Sequence, residues 1–405
     1  MGTYLVSNTK KECCGCGACS AICPKKCISL ETDEYGFYYP KVNISNCIQC
    51  HLCESVCIYN EQNRFNRINS EFYAGHNSNV DQMMLSSSGG LLPIICEKII
   101  ENKGVVFSVT RDNCNVIKYV QIQDKKDIPT IQGSKYVQAD TKGIFARIKE
   151  ALDGNKLVLF SGTPCHVAAL KLFLHKDYEK LFTISVICHG VPSQKMFLDY
   201  IDYLERKHKG KLIDINFRDK EKNGWSITLS YTIERRKKKK YFVSNKLSPY
   251  FIGFLKGMIV RESCHNCLFA GLNHESDIML GDFWGFKERY AHLKSFFGFS
   301  IFSVNTEIGS RIMSMIKMNM EYGPVDTDDV FDSLNTNLKH STIMDDNYYL
   351  LMDDYSKYGF DYIVRKYLKP DHPIKETIKK VLPSPFINFF KAKRRRYPYN
   401  EKNKR

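Results

Sequence analysis

At 405 residues the chain is too long for a small electron-carrier domain alone, and two or three domains are expected. Its 43% hydrophobic, 13% aromatic and 25% charged content fits an ordinary folded soluble protein, and no apolar window reaches the length of a membrane span. The formal charge of +15 suggests nucleic acid first. Much of the excess, however, sits in two local basic runs at 235–240 and 391–396. Nucleic-acid binding is therefore kept only as a minor rival, and the positive surface could steer an acidic carrier or an anionic substrate, or equally serve plain solubility.

Chain order begins with cysteine. Cys13, Cys16, Cys19 and Cys23 form a C-x2-C-x2-C-x3-C-P run, and Cys47, Cys50, Cys53 and Cys57 repeat the spacing. Soft anionic ligands at this spacing let one loop wrap several irons, and two such runs predict two 4Fe–4S clusters. The fourth cysteine of each run ligates the other cluster. One set is thus Cys13, Cys16, Cys19 and Cys57; the other is Cys47, Cys50, Cys53 and Cys23. Cys14 and Cys27 lie off-register and read as spare or packing thiols. Ile58, not proline, follows Cys57. The sixteen cysteines have metal-like spacing and follow no secretory leader, so a reducing cytoplasm is expected over a disulfide scaffold.

Residues 1–66 are assigned to this ferredoxin-like domain, with a hairpin turning at Tyr35-Gly36. Residues 67–330 read as a larger α/β domain, and 331–405 as a helical extension with a basic tail. Within the α/β domain, 91–103 is an amphipathic helix entered from Ser87, Ser88, Gly89 and Gly90. Segments 104–110 and 116–123 form a hairpin. A helix covers 143–152. Residues 156–174 are a buried strand, a tight turn and a helix. Residues 180–190 are a second buried strand ending in Cys188, His189 and Gly190. A helix over 196–210 stops at Gly210. Segments 225–233 and 240–244 pair, and 277–285 and 299–306 contain two more strands. The basic aromatic end offers weak peripheral contact with an anionic membrane surface, though a solvated terminus is favoured.

Cys264 and Cys267 form a C-x2-C pair, while Cys165 and Cys188 stand at strand ends, where functional groups of α/β domains gather. Together they could hold a third 4Fe–4S cluster; on spacing alone zinc competes. Cys96 and Cys114 read as free structural thiols. No GxGxxG follows a strand, so a nicotinamide site is not supported. The turns at Ser87–Gly90 and at 161–164 lie at helix starts that suit a phosphate, and beside a cluster they favour a flavin.

The segments SSSGG, GSKYVQAD, FSGTPCHVAALK, ICHGVPS, FRDKEKNGW, CHNC and DIMLGDFWG resemble the beta subunit of coenzyme F420-reducing hydrogenase and dehydrogenase. The resemblance covers about residues 70–310. It implies a fold class combining α+β and α/β domains: a small two-cluster ferredoxin domain followed by an FAD-binding iron–sulfur flavoprotein domain. It implies Cys165, Cys188, Cys264 and Cys267 as ligands of a third cluster. It also implies Ser88, Gly89, Gly90, Lys135, Tyr136, Thr163, Pro164 and Asp282 as shaping the FAD site. Members include F420 oxidoreductases, and bacterial members occur in polysaccharide biosynthesis systems. The expected function is an oxidoreductase linking ferredoxin, or another one-electron carrier, through FAD to a small organic substrate. Lys135, His166 and His189 are the proton-donor candidates; His166 could instead cap its helix, and His189 could orient the third cluster. The alternatives are F420 oxidation or reduction, and an electron-input subunit without its own active site.

Overall fold

The computed structural model describes residues 3–63, 65, 71–272 and 274–371. The boundary expected at 66/67 and the basic run at 391–396 lie outside the described residues. Three sheets organise the rest. The hairpin β1 (Ile28–Thr32) and β2 (Tyr38–Val42) belongs to the cysteine-rich segment. An eight-stranded mixed sheet has the order β13-β3-β12-β11-β7-β6-β4-β5. Its strands are β3 (Glu71–Asn77), β4 (Val105–Arg111), β5 (Ile117–Ile122), β6 (Val158–Gly162), β7 (Leu181–Val186), β11 (Ile278–Asp282), β12 (Ser300–Val304) and β13 (Met320–Val325). A three-stranded antiparallel sheet contains β8 (Lys211–Asn216), β9 (Thr228–Glu234) and β10 (Lys238–Ser244).

At the middle of the large sheet β4, β6, β7 and β11 run parallel. Strands buried on both faces read as continuous apolar runs, and VLFSG of β6 is buried at every position. Alternation sorts the faces. Val105, Phe107, Val158 and Phe160 enter one core; Val106 and Leu159 enter the other. The helices Ile144–Asp153, Pro164–Leu174 and Gln194–His208 cover the first face, and Leu91–Glu101 with Glu307–Ile316 covers the second.

The cysteine-rich segment is not a bead on a linker. Ala18, Phe37, Tyr39, Val56, Ile58 and Tyr59 share one hydrophobic core with the first face of the sheet. Tyr348, Leu351, Tyr355 and Ile363, from the helices Tyr348–Tyr358 and Phe360–Lys366, join the same core. The C-terminal helices thus pack back onto the N-terminal segment, where Tyr35 donates to Asp353 at 2.8 Å.

Three strands had no signal in the sequence. β13 carries Gly323-Pro324, which argues against a strand, but it lies at the sheet edge, where proline is tolerated. β8 is exposed at half of its positions and buried only at Ile215, so it shows little apolar alternation. β3 precedes the first motif and pairs with two strands over 200 residues away in sequence. Two boundaries also shift. β7 ends at Val186, which places Cys188 in the following loop. The left-handed residue closing Gln194–His208 is Lys209 (φ 50°), not Gly210.

Candidate functional site

One cavity of about 330 Å³ opens beyond the carboxyl ends of β6, β7 and β11. Ligands of open α/β sheets bind at this edge. Ser87, Ser88, Gly90, Lys135, Tyr136, Thr163, Pro164 and Asp282 all line it. So do Cys165, Cys188, Cys264, Cys267, His166 and His189. Gly89 lies just behind the wall, where its N–H donates to Ser300 Oγ at 2.9 Å. The two turns that the sequence placed at helix starts, Gly90 before Leu91–Glu101 and Thr163 before Pro164–Leu174, thus face a common space.

The wall at Ser87–Gly90 rests on two buried basic side chains. Arg218 is 2% exposed and forms a bidentate pair with Asp282 at 2.7 and 2.9 Å. It also donates to Ser87 O at 2.9 Å, Tyr136 Oη at 3.1 Å and Ser226 O at 3.0 Å. One guanidinium therefore fastens three motif segments together. Trp225 Nε1 donates to Asp282 Oδ1 at 2.6 Å, and Trp225 stacks on Trp284 at 4.0 Å and 3°. Asp282 lines the cavity with its charge already balanced. Lys220 is equally buried and donates to Met83 O at 2.6 Å and Ser88 O at 2.7 Å. Burial, with the adjacent Arg218 charge, pushes its amine down to about 7. Nothing in the FRDKEKNGW segment had singled out Arg218 or Lys220 as site residues. Their roles come from carbonyls and a carboxylate that only folding brings together.

The three proton-donor candidates differ in freedom. His166 is buried, and its Nδ1 lies 2.9 Å from Tyr119 Oη. Its side chain therefore does not cap its helix, and burial pushes its imidazole down to about 4. His189 has both ring nitrogens engaged, Nδ1 with Asn337 Oδ1 at 3.0 Å and Nε2 with Phe254 O at 3.2 Å. Lys135 donates to Gln132 O at 2.8 Å from the cavity wall, and burial followed by the Arg111 charge pushes it down to about 7.

The cysteines gather as sets. Cys13, Cys16, Cys19 and Cys57 line a small pocket of about 30 Å³, so Cys57 of the second run does join the first. Cys23 Sγ lies 3.4 Å from Cys27 Sγ, and Cys27 also neighbours Cys47. Cys27 is thus beside the second set instead of being a remote packing thiol. Cys14 neighbours Cys16 and Cys165 and lines the large cavity. Cys96 is buried in its helix and Cys114 is exposed in its turn, as expected of free thiols. Among the described residues no group of three or more His, Cys, Asp or Glu side chains closes around a single ion.

Arg261 tests whether anionic clusters fit these sets. It is 0% exposed. Its partners are Cys13 O at 2.7 Å, Tyr38 O at 2.9 Å and Gln138 Oε1 at 3.4 Å, with the Tyr39 ring centred 4.1 Å away. Among the described residues no carboxylate pairs with it. A buried charge needs a counter-charge, and the nearest candidates are the sulfurs of Cys13, Cys14 and Cys264. Thiolates carrying iron supply that negative charge. Gly15 allows the approach: a Cβ there would stand 2.4 Å from Gln138 Nε2 and 3.1 Å from Arg261 Nη1.

A cysteine-rich module packed against further cysteines at the functional edge of a mixed sheet defines an iron–sulfur electron-transfer protein of oxidoreductase type. Residues 155–328 match the family described as the C-terminal part of the coenzyme F420 hydrogenase/dehydrogenase beta subunit, and residues 12–60 match the 4Fe-4S dicluster domain. The chain thus carries a domain of the coenzyme F420 hydrogenase/dehydrogenase beta-subunit family over residues 155–328, preceded by a 4Fe–4S dicluster domain. A chain of the F420-reducing NiFe hydrogenase complex from Methanosarcina barkeri is similar at 16% identity, with a TM-score of 0.46, over 68% of this chain and 89% of that one. No curated protein matches the sequence.

Proposed function

We propose that this protein is an FAD-dependent iron–sulfur oxidoreductase that passes electrons between a one-electron carrier and a small organic substrate. The observation that carries the reading is the single cavity joining Cys165, Cys188, Cys264 and Cys267 to Ser87–Gly90, Lys135 and Tyr136. When bound, clusters supply single-electron transfer, and a flavin exchanges single electrons for a hydride or pair.

The residues fit those groups. The helix start at Gly90-Leu91 offers backbone N–H groups to a pyrophosphate, and the turn at Thr163-Pro164, whose proline has no N–H, shapes the wall beside it. Cys165, Cys188, Cys264 and Cys267 hold the third cluster, and the two N-terminal sets hold the others, with Cys57 and Cys23 crossing over. Lys135 is the favoured proton donor because it lines the cavity and burial poises its amine near neutral pH. His166 and His189 hold Tyr119 and Asn337 in place.

Anaerobic purification followed by iron and flavin quantitation tests the reading. About twelve irons and one FAD are expected from three four-iron clusters. Cys264→Ala should lose about four irons and keep the rest. About eight irons in the wild type would remove the third cluster, and absence of flavin from cluster-replete protein would overturn the proposal. Lys135→Met should retain both cofactors and lose turnover; unchanged turnover would return the role to another group. The matched family description names a beta subunit of F420 enzymes. Turnover with the reduced deazaflavin would make F420 the substrate, and co-purification with a partner would make this chain an input subunit.

A further inference from the structure

Arg261 does more than neutralise its surroundings, because of where it lies. Its Nε and Nη2 reach Cys13 O and Tyr38 O in the N-terminal segment. Its own backbone leads into the other cysteine set: Cys264 N donates to Arg261 O at 2.9 Å, and Arg261 N donates to Val191 O at 2.9 Å, just beyond Cys188. Its side chain thus holds the backbone of the first set, and its own carbonyl holds the backbone of the third. The second set is different. The hydrogen bonds of the Arg261 side chain go to Cys13, Tyr38 and Gln138, and among the described residues none reaches Cys23, Cys47, Cys50 or Cys53.

We infer that Arg261 is a shared counter-ion and positioning residue for the first and third cysteine-bound clusters, and that it raises both of their reduction potentials while leaving the second unaffected. This rests on the three-cluster reading above. Reduction adds one negative charge to a cluster. A buried guanidinium, with only carbonyls, an amide and aromatic faces as its other partners, favours the more negative state of any anion beside it. The cation is shared, so both clusters feel it. Cys14 lies in the same gap, beside Cys16 on one side and Cys165 on the other. The junction between the N-terminal module and the cavity is therefore built around one positive charge.

The test uses the full-length holoprotein. Wild type, Arg261→Gln and Arg261→Lys are compared by iron content and by redox titration followed with EPR. Arg261→Gln should shift two of three clusters to more negative potential, by about tenfold in the reduction equilibrium or about 59 mV for one electron. The cluster assigned to the second set by a Cys50→Ser variant should not move. Arg261→Lys, which keeps the charge, should restore most of the shift. Equal potentials in wild type and Arg261→Gln at full iron content would overturn the inference, as would an equal shift in all three clusters. A second measurement does not depend on the variants folding. With arginine labelled by nitrogen-15, pulsed EPR of the reduced wild type should show arginine nitrogen coupled to two of the three cluster signals. Coupling to none or to only one would overturn it. Wild-type protein with only about eight irons would instead indict the three-cluster reading itself.

Discussion

Arg218 and Lys220 sit two residues apart on one segment and are both buried beneath Ser87–Gly90, yet they solve burial differently. Arg218 keeps its charge by pairing with Asp282. Breaking a buried pair from one side leaves the other charge stranded, so Arg218→Met should lower stability by about 3–5 kcal/mol. A urea midpoint unchanged from wild type would refute that reading of the pair. Lys220 has carbonyl partners instead, and a neutral amine can donate to both. Its amine titrates near 7 when folded, against about 10.4 in an unfolded chain. Between those values the unfolded state binds the extra proton, so stability from this group rises with pH and is lowest below about 7. Lys220→Met should therefore flatten the rise in urea midpoint between pH 7 and pH 10. An unaltered slope would place the titration elsewhere. None of this pairing was legible locally: FRDKEKNGW reads as a polar turn until Met83, Ser88 and Asp282 surround it.

The hairpin β1–β2 shows how an element that was legible in sequence takes on a role that was not. Tyr35-Gly36 marks the turn, and Gly36 has φ 86°. What the turn meets is decided by the fold. It docks on the start of the helix Gln194–His208, where Ser193 Oγ donates to Tyr35 O at 2.7 Å. A Cβ on Gly36 would lie 2.3 Å from Lys195 Cβ. Gly36→Ala should therefore cost about 1–3 kcal/mol through overpacking, in addition to its strained φ. Thermal unfolding of the iron-replete protein reads the loss, and limited proteolysis should cut the hairpin first. An unchanged melting temperature would show that the hairpin does not bear on the helix. The helices Tyr348–Tyr358 and Phe360–Lys366 close the same region, with Tyr348 Oη donating to Val260 O at 3.0 Å beside Arg261. The sequence marked this end as helical but gave it no place, because its packing partners lie hundreds of residues away.

Over the whole molecule, the third cysteine set faces the buried cavity, while the second meets solvent. Cys50 is exposed. Ile44 at 74% and Ile48 at 56% exposure flank the set, and the exposed turn of Lys25 and Lys26 is tied to it by Asn43 N donating to Cys27 O. An apolar contact ringed by lysines suits an acidic one-electron carrier. Lys25→Glu with Lys26→Glu should slow reduction by such a carrier at low salt and weaken its dependence on ionic strength. A rate and salt slope equal to wild type would move the entry point elsewhere. The sequence by itself determined the cysteine spacing, the strand-turn-helix units and the phosphate-suited turns, since each is set by residues within one short stretch. Only the tertiary structure decided that Cys14 and Cys27 join cysteine sets, that Asp282 is already paired, and that Arg261 stands between two sets. Those outcomes depend on burial and on charge shared between segments far apart in the chain, and local pattern carries no record of either.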